Sequence, residues 1–284
     1  MQTRFLTLIS LLSIISLSAF GQLQGDTYAA AKQSKKASWT ITYSDSPGLA
    51  TLVNGKPDGI CYDLMQEFAK YVKTKAGIDV TLTYAKVDDP ANFTDFLSTV
   101  KQAKGGVFGL SNTTITSERK KSYNFSPPFL KNVSMIITNN SVAEITDIKD
   151  LSASFGSLKA VVVKGSTNEA RVLDLKKKYL PNLVIESSSS FLKSIETVVT
   201  EKNTFTSADF TYYLKALKAR KPIKHHAIFD EAGEEFGIIM PLSNDWNPIL
   251  TEFMKSGFIE SSQYNKIITD HLGQSVLTFI KMIK

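Results

Sequence analysis

The stretch "SNTTITSERKKSYNFSPPF", residues 111–129, carries more hydrogen-bonding side chains than a connecting loop needs. Four hydroxyl groups and one amide fall within its first six residues, and an arginine follows three positions later: Ser111, Asn112, Thr113, Thr114, Thr116 and Arg119. Thr116 or Ser117 can cap a short helix. Capping explains two of the hydroxyls, and the remaining groups together with Arg119 favour an anion receptor.

The segments before this stretch alternate between strand and helix patterns. "WTITYS" (39–44), "VTLTY" (80–84) and "VFGL" (107–110) have strand composition, whereas 61–77 and 93–102 have apolar residues at helical spacing. This alternation predicts a parallel sheet covered by helices. Ligands of such sheets bind outside the carboxyl ends of the strands. The polar stretch begins where "VFGL" ends, so it is expected at a binding edge.

A second unit of the same kind follows, with "VSMIIT" (133–138) as its first strand. The apolar run 160–163 opens through Gly165, Ser166 and Thr167 into a helix, and free backbone N–H groups at such a start favour an anion. "TFTSAD" (204–209) ends on Asp209, which can serve as the N-cap of the next helix, as a ligand contact, or as both.

The N-terminus has the pattern of a cleaved signal peptide over residues 1–21. Arg4 precedes an apolar run from Phe5 to Leu17, and Ala19-Phe20-Gly21 follows. The run is shorter than the roughly 20 residues that cross a membrane. Without a cysteine near the cut, we expect a periplasmic protein with no lipid anchor. Residues 22–37 are small and polar, which predicts a flexible leader.

Composition narrows the functional classes. The chain is 43% hydrophobic and 21% charged, as in an ordinary globular protein with a core. A formal charge of +6 is too weak and too evenly spread to indicate nucleic acid. The single cysteine, Cys61, is expected as a buried apolar residue, and His225, His226 and His271 as surface residues. No metal-ligand spacing or nucleophile–base pair is legible, so we predict no metal, no cofactor and no catalytic group.

Five motifs in order resemble those of family 3 extracellular solute-binding proteins, the amino-acid-binding components of bacterial ABC importers. "TTITSERKKSYNFSPPF" is the best match to the family pattern, and "GICYDLMQEF", "VVVKGSTNE", "SADF" and "EFGIIM" stand in the family's sequence order. The resemblance extends over roughly 38–280. It implies a two-lobed type II periplasmic binding fold, each lobe a mostly parallel α/β sheet, with two hinge crossings. Lobe 1 would be 38–138 plus 237–284, and lobe 2 would be 139–236.

The resemblance also implies a site between the lobes. In the family, the arginine of the motif holds the ligand carboxylate, which corresponds to Arg119, and the acid that accepts the α-ammonium corresponds to Asp209. Thr114 and Thr167 match hydroxyl contacts, and Asn112 matches a neighbouring contact. Ser111 and Ser166 complete the expected clamp for a small zwitterion or carboxylate, best an amino acid.

The side-chain pocket and the partners follow less directly from the resemblance. The family's aromatic-proline motif is represented by "YSDSPGLA", so Tyr43, Ser44 and Asp45 are the expected pocket residues. Partners would be the small-molecule ligand and either a membrane ABC permease or a separate receptor, with the protein a monomer. Two other functions occur on this fold and stay open: a free-standing sensory binder, and a cyclohexadienyl-dehydratase-like enzyme in which Asp209 would be the general acid.

Overall fold

The computed structural model describes residues 22–282, and the predicted signal peptide lies outside them. No helix within this range is long and apolar enough to cross a membrane. The strands are β1 (Gln24–Gly25), β2 (Lys36–Tyr43), β3 (Thr51–Val53), β4 (Lys56–Asp58), β5 (Asp79–Tyr84), β6 (Lys104–Gly105), β7 (Val107–Leu110), β8 (Tyr123–Phe125), β9 (Leu130–Asn139), β10 (Lys159–Val163), β11 (Val184–Ser188), β12 (Thr204–Asp209), β13 (Ile223–His225), β14 (Glu231–Phe236) and β15 (Ile239–Pro241). The α-helices are α1 (Tyr28–Ser34), α2 (Ile60–Ala76), α3 (Phe93–Gln102), α4 (Leu151–Phe155), α5 (Thr167–Lys178), α6 (Phe191–Thr200), α7 (Phe210–Lys218), α8 (Asn247–Phe253), α9 (Ser262–Leu272) and α10 (Gln274–Met282).

The first lobe is built on a five-stranded sheet in the order β5-β2-β7-β15-β8. β2 pairs in parallel with both β5 and β7, whereas β15 is antiparallel to its neighbours. An aromatic cluster of Trp39, Phe68, Phe108 and Trp246 fills the space beneath the sheet, with ring centroids 4.6 Å apart for Trp39 and Phe68. The predicted α/β fold is confirmed for this lobe.

The second lobe is built on a six-stranded sheet in the order β11-β10-β12-β9-β13, with β14 also paired to β9. β10 is parallel to β11 and β12, and β9 is antiparallel to β12. Its apolar core centres on Phe155, Phe205 and Leu151, all fully buried. The carboxyl ends of β10 and β12 therefore lead into α5 and α7 at one edge of the sheet.

The chain passes between the lobes twice, and the first passage differs from the sequence expectation. β9 lies wholly in the second sheet, so the first crossing is 126–129 and not 138–139. β14 pairs with residues 130–134 of β9 and extends that strand beyond the apolar run visible in the sequence. The second crossing is Gly237–Ile238. The two crossings are joined, because the Ser126 N–H donates to the Ile238 carbonyl at 2.9 Å.

Residues 22–37 form regular structure where a flexible leader was expected. β1 pairs in parallel with β6, and α1 packs against the first lobe with Ala31 fully buried. The Asp245 carboxylate accepts hydrogen bonds from the N–H groups of Tyr28 at 2.7 Å and Ala29 at 3.0 Å. Asp245 thus adds a distant carboxylate to the local N-cap, Thr27, whose side chain accepts from the Ala30 N–H.

The predicted burial of the single cysteine agrees with the structure, whereas the predicted exposure of His226 does not. The predicted burial of Cys61 is confirmed. His226 was expected at the surface and is instead fully buried. The protein can bury this ring because both of its nitrogens have partners: Thr138 Oγ1 lies 2.8 Å from Nε2, and the Ile145 N–H donates to Nδ1 at 3.3 Å. Burial lowers the pKa of His226 from its ordinary 6.5 to about 4.

Candidate functional site

Asp209 is the most deeply buried carboxylate at the edge where the two lobes meet. It ends β12 and enters α7, and only 1% of its surface is exposed. Its side chain makes no capping bond to α7, so the capping role considered from the sequence is not realised. Buried carboxylates need hydrogen-bond donors. Here the donors are amide side chains.

Three asparagines surround Asp209, each from a different element. Asn132 Nδ2 donates to Asp209 Oδ1 at 2.9 Å and Asn168 Nδ2 donates to the same oxygen at 3.0 Å. Asn112 Nδ2 donates to Oδ2 at 2.5 Å. Asn132 and Asn168 belong to the second lobe, whereas Asn112 follows β7 of the first lobe. The Asn112–Asp209 bond therefore joins the lobes directly.

A second carboxylate, Glu234, lies beside this group. Its Oε2 accepts from Asn132 Nδ2 at 2.8 Å and from Ser134 Oγ at 2.8 Å, so Asn132 is shared between two acids. Burial and the Glu234 charge raise the pKa of Asp209 from an ordinary 3.8 to about 6, against the lowering effect of the three amides. The pair makes a local excess of negative charge that suits a cationic group.

Arg119 opens the short 3-10 turn Arg119–Lys121 after the polar stretch. Its Nη1 donates to the Thr114 carbonyl at 2.9 Å, and its Nη2 reaches the Gly165 carbonyl of the second lobe at 3.2 Å. The guanidinium lies over the Phe93 ring, 5.4 Å from the centroid. Burial lowers the pKa of Arg119, and the charges of Glu234 and Asp209 oppose that effect. A guanidinium has five N–H donors, so three remain for an anion.

The hydroxyl side chains divide into those that face the other lobe and those with local partners. Thr114 Oγ1 lies 3.4 Å from Thr167 Oγ1 across the lobes. Ser166 caps α5, since its Oγ accepts from the Glu169 N–H at 3.0 Å, and Ser111 Oγ is bonded to Thr113 Oγ1. The structure thus brings five of the predicted residues together, namely Arg119, Asp209, Asn112, Thr114 and Thr167, with Ser111 and Ser166 held at the ends of their elements.

The three residues predicted to line the side-chain pocket have different partners. The Asp45 carbonyl accepts from Tyr212 OH of the second lobe at 3.0 Å, and the buried Oδ1 of Asp45 has no hydrogen-bond partner. Ser44 Oγ donates to the Pro90 carbonyl at 3.1 Å. Tyr43 packs against Tyr62, with centroids 6.3 Å apart. Only Asp45 is in contact with the second lobe through these bonds.

Sequence reasoning missed Asn132, Asn168 and Glu234. Asn132 is a fully buried amide in β9, and a buried amide needs a polar partner. Asn168 directly follows the predicted Thr167. Glu234 gave no local signal, because its position depends on the pairing of β14 with β9. In residues 22–282, no three His, Cys, Asp or Glu side chains are grouped so that they could hold a metal ion.

Comparison with known proteins agrees with this architecture. The sequence profile of the bacterial extracellular solute-binding proteins, family 3, matches residues 40–273. An ancestral arginine-binding protein bound to glutamine superposes with a TM-score of 0.65 at 20% identity, over 84% of this chain and 98% of that one. The arginine-, lysine-, histidine-binding protein ArtJ from Geobacillus stearothermophilus gives 0.65 at 18%, over 85% and 99%. At these identities the superpositions show the fold alone.

Two further relatives connect the fold with enzymes. The ancestral amino-acid-binding protein AncCDT-1, a precursor of cyclohexadienyl dehydratase, superposes with a TM-score of 0.64 at 18% identity, over 86% of this chain and 98% of that one. The membrane-bound lytic murein transglycosylase F of Pseudomonas fluorescens (strain Pf0-1) is 29% identical over 132 residues, which is 46% of this chain and 24% of that relative. The matched segment thus spans about a quarter of the transglycosylase. The family match over residues 40–273 decides the assignment: the chain belongs to the bacterial extracellular solute-binding proteins, family 3.

Proposed function

We propose that this protein is a monomeric periplasmic receptor that captures a small zwitterion, best an amino acid, between its lobes and delivers it to an ABC permease. The observation that carries the proposal is the placement of opposite charges on the two sides of the lobe boundary. Asp209 and Glu234 lie in the second lobe and Arg119 lies in the first, near enough for both acids to act on the pKa of Arg119.

The chemistry of a zwitterion fits this placement. Its ammonium needs a carboxylate and its carboxylate needs a planar cation, which Arg119 supplies with three remaining N–H donors. Each charge-assisted hydrogen bond is worth about 1.5–3 kcal/mol. Thr114 and Thr167 lie at the same junction and can donate to the ligand carboxylate. Asp45 is the best candidate for a side-chain contact, since its Oδ1 has no partner.

A thermal-shift screen against amino acids and small anions tests the proposal. Binding proteins for arginine and for lysine or histidine share this fold, so basic and neutral amino acids belong in the panel. A ligand at 100 times its dissociation constant should add about 2.7 kcal/mol to the free energy of unfolding. If no amino acid raises the melting temperature, the proposed ligand class is wrong.

Arg119→Lys tests the carboxylate contact. Lysine keeps the charge and loses the two-pronged geometry, so binding should weaken by at least tenfold while the fold persists. Lys120→Ala is the matched control, because Lys120 lies in the same turn and is exposed. Titration calorimetry measures both. Unchanged affinity in the Arg119→Lys protein would refute the carboxylate clamp.

The raised pKa of Asp209 favours one alternative function, that of a cyclohexadienyl-dehydratase-like enzyme. A buried acid with a pKa of about 6 is suited to general-acid chemistry near neutral pH. The alternative predicts that prephenate- or arogenate-like acids are converted by the wild type and left intact by the Asp209→Asn variant. Absorbance assays decide it, and turnover that depends on Asp209 would replace the receptor proposal with a dehydratase.

A further inference from the structure

Asn112 holds Asp209 in a fixed orientation. Ser46 Oγ donates to Asn112 Oδ1 at 2.8 Å, and Tyr212 OH lies 3.4 Å from the same oxygen. The Asn112 backbone N–H donates to Ser46 Oγ at 3.2 Å. Since the Ser46 hydroxyl donates to the carbonyl oxygen of the amide, the NH₂ group of Asn112 is directed at Asp209. The residue is 4% exposed and cannot turn away without breaking these bonds.

The three amides leave little room on the Asp209 carboxylate. A carboxylate offers about four acceptor positions, and three donors already occupy three of them here, two on Oδ1 and one on Oδ2. A primary ammonium brings three N–H donors of its own. Asn168 is anchored within the second lobe, because Ser207 Oγ donates to its Oδ1 at 2.7 Å, and Asn132 is shared with Glu234. Of the three donors, only Asn112 lies in the first lobe, so it is the one that lobe opening would withdraw from Asp209.

We infer that the Asn112 amide is an internal competitor for the cationic group of the ligand: it bonds to Asp209 across the lobes and must leave before the ligand can occupy that acid. The inference rests on the proposed function for the identity of the ligand group. The arrangement joined by the Asn112–Asp209 bond is then a latched state that does not bind. Apparent affinity is reduced by the fraction of molecules in that state. The latch selects ligands with an ammonium, because a plain carboxylate cannot take the place of the amide.

Removal of the amide donor tests both parts of the inference. Asn112→Ala should open the lobes in the absence of added ligand, so its radius of gyration in small-angle scattering should exceed that of the wild type. It should also bind the amino acid found in the screen about tenfold more tightly, as expected for loss of one competing charge-assisted bond. Asn168→Ala is the matched control. It removes another donor to Asp209 but none across the lobes, so its radius of gyration should stay at the wild-type value.

Asn112→Asp gives a second test with an isosteric side chain. The new carboxylate still accepts from Ser46, but it faces Asp209 with a like charge. The lobes should be open at pH 8 and return toward the wild-type radius at pH 4, where the raised pKa of Asp209 leaves that acid protonated and neutral. This variant answers the question even if the alanine protein fails to fold.

The outcomes separate the inference from the proposed function. Radii of gyration equal to wild type in folded Asn112→Ala and Asn112→Asp would refute the latch. Weaker binding by Asn112→Ala would show that Asn112 contacts the ligand and does not compete with it. If no amino acid binds to the wild type or to any variant, the proposed function fails and the radii still decide whether Asn112 holds the lobes together.

Discussion

Asp209→Asn should make this protein more stable at neutral pH. The wild-type carboxylate is withdrawn from water and lies near Glu234, which is why its pKa rises from 3.8 to about 6. For an acid whose folded pKa exceeds its unfolded pKa, the folded state holds the proton more tightly. The free energy of unfolding therefore falls as pH rises from about 4 to 6, and the full penalty is present above pH 6.

The magnitude follows from the size of the shift. At 1.36 kcal/mol per pKa unit, the penalty at pH 7 is about 3 kcal/mol. Asparagine removes that penalty but turns one oxygen into a donor that faces the NH₂ group of Asn112, which should cost about 1 kcal/mol. We therefore expect a net gain of about 2 kcal/mol at pH 7 and a small net loss of at most about 1 kcal/mol at pH 4, where wild-type Asp209 is protonated in the folded state and only the mismatch remains.

Urea unfolding of wild type and Asp209→Asn at pH 4, 5, 6 and 7 measures this difference. Comparison at each pH cancels the titration of groups that do not interact with Asp209, such as the buried His226. The gain should grow steadily with pH. A loss of stability at pH 7 that is as large as the loss at pH 4 would refute the reasoning, because it would mean that the three amides fully compensate the buried charge.

Three further predictions concern the frame of the site. Asp245→Ala should lower the free energy of unfolding by about 1 kcal/mol in urea, because the N-terminus of α1 loses the carboxylate that caps it. Phe155→Ala should lower the free energy of unfolding by about 3–5 kcal/mol in the same assay. The ring is fully buried, and its centroid lies 4.9 Å from that of Phe205 and 5.3 Å from that of His226. The stabilising effect of neutral His226 should be fully present above pH 6.5 and be lost as pH falls toward 4, because its folded pKa is lowered. His226→Gln should remove that loss, and an unchanged decline below pH 6.5 would assign it to another group.

The sequence predicted the parts of the site that local patterns control. Strand ends mark one edge of a parallel sheet whatever the packing around them, so "VFGL" and "TFTSAD" place Arg119 and Asp209 near the carboxyl ends of their strands. That the two edges face each other was implied only by the family resemblance. The same logic predicted the helix that begins at Thr167. These features depend on chain segments of about ten residues, where composition and periodicity determine the structure.

The parts that escaped prediction depend on pairing between distant segments. Glu234 reaches Asn132 because β14 adds to β9, a contact between residues about 100 positions apart. The same pairing moves the first crossing to 126–129. The order in residues 22–37 likewise depends on Asp245 and on the pairing of β1 with β6. Neither hydropathy nor propensity within one segment reports such long-range partners.

The contacts between the lobes are of two kinds, apolar contacts and hydrogen bonds, and the two kinds have different roles. Phe93 of the first lobe meets Phe191 of the second with ring centroids 6.2 Å apart, and the ring of Phe191 lies tilted against that of Tyr212 with centroids 4.9 Å apart. This contact favours closure whatever the ligand, because burial of apolar surface is non-directional. The hydrogen bonds from Asn112 and Arg119 across the boundary each involve one charged group, so each adds about 1.5–3 kcal/mol even though its partners are hydrated on opening. A ligand needs to change only that polar part to shift the balance, and the site can therefore respond to a molecule that makes a few charged contacts.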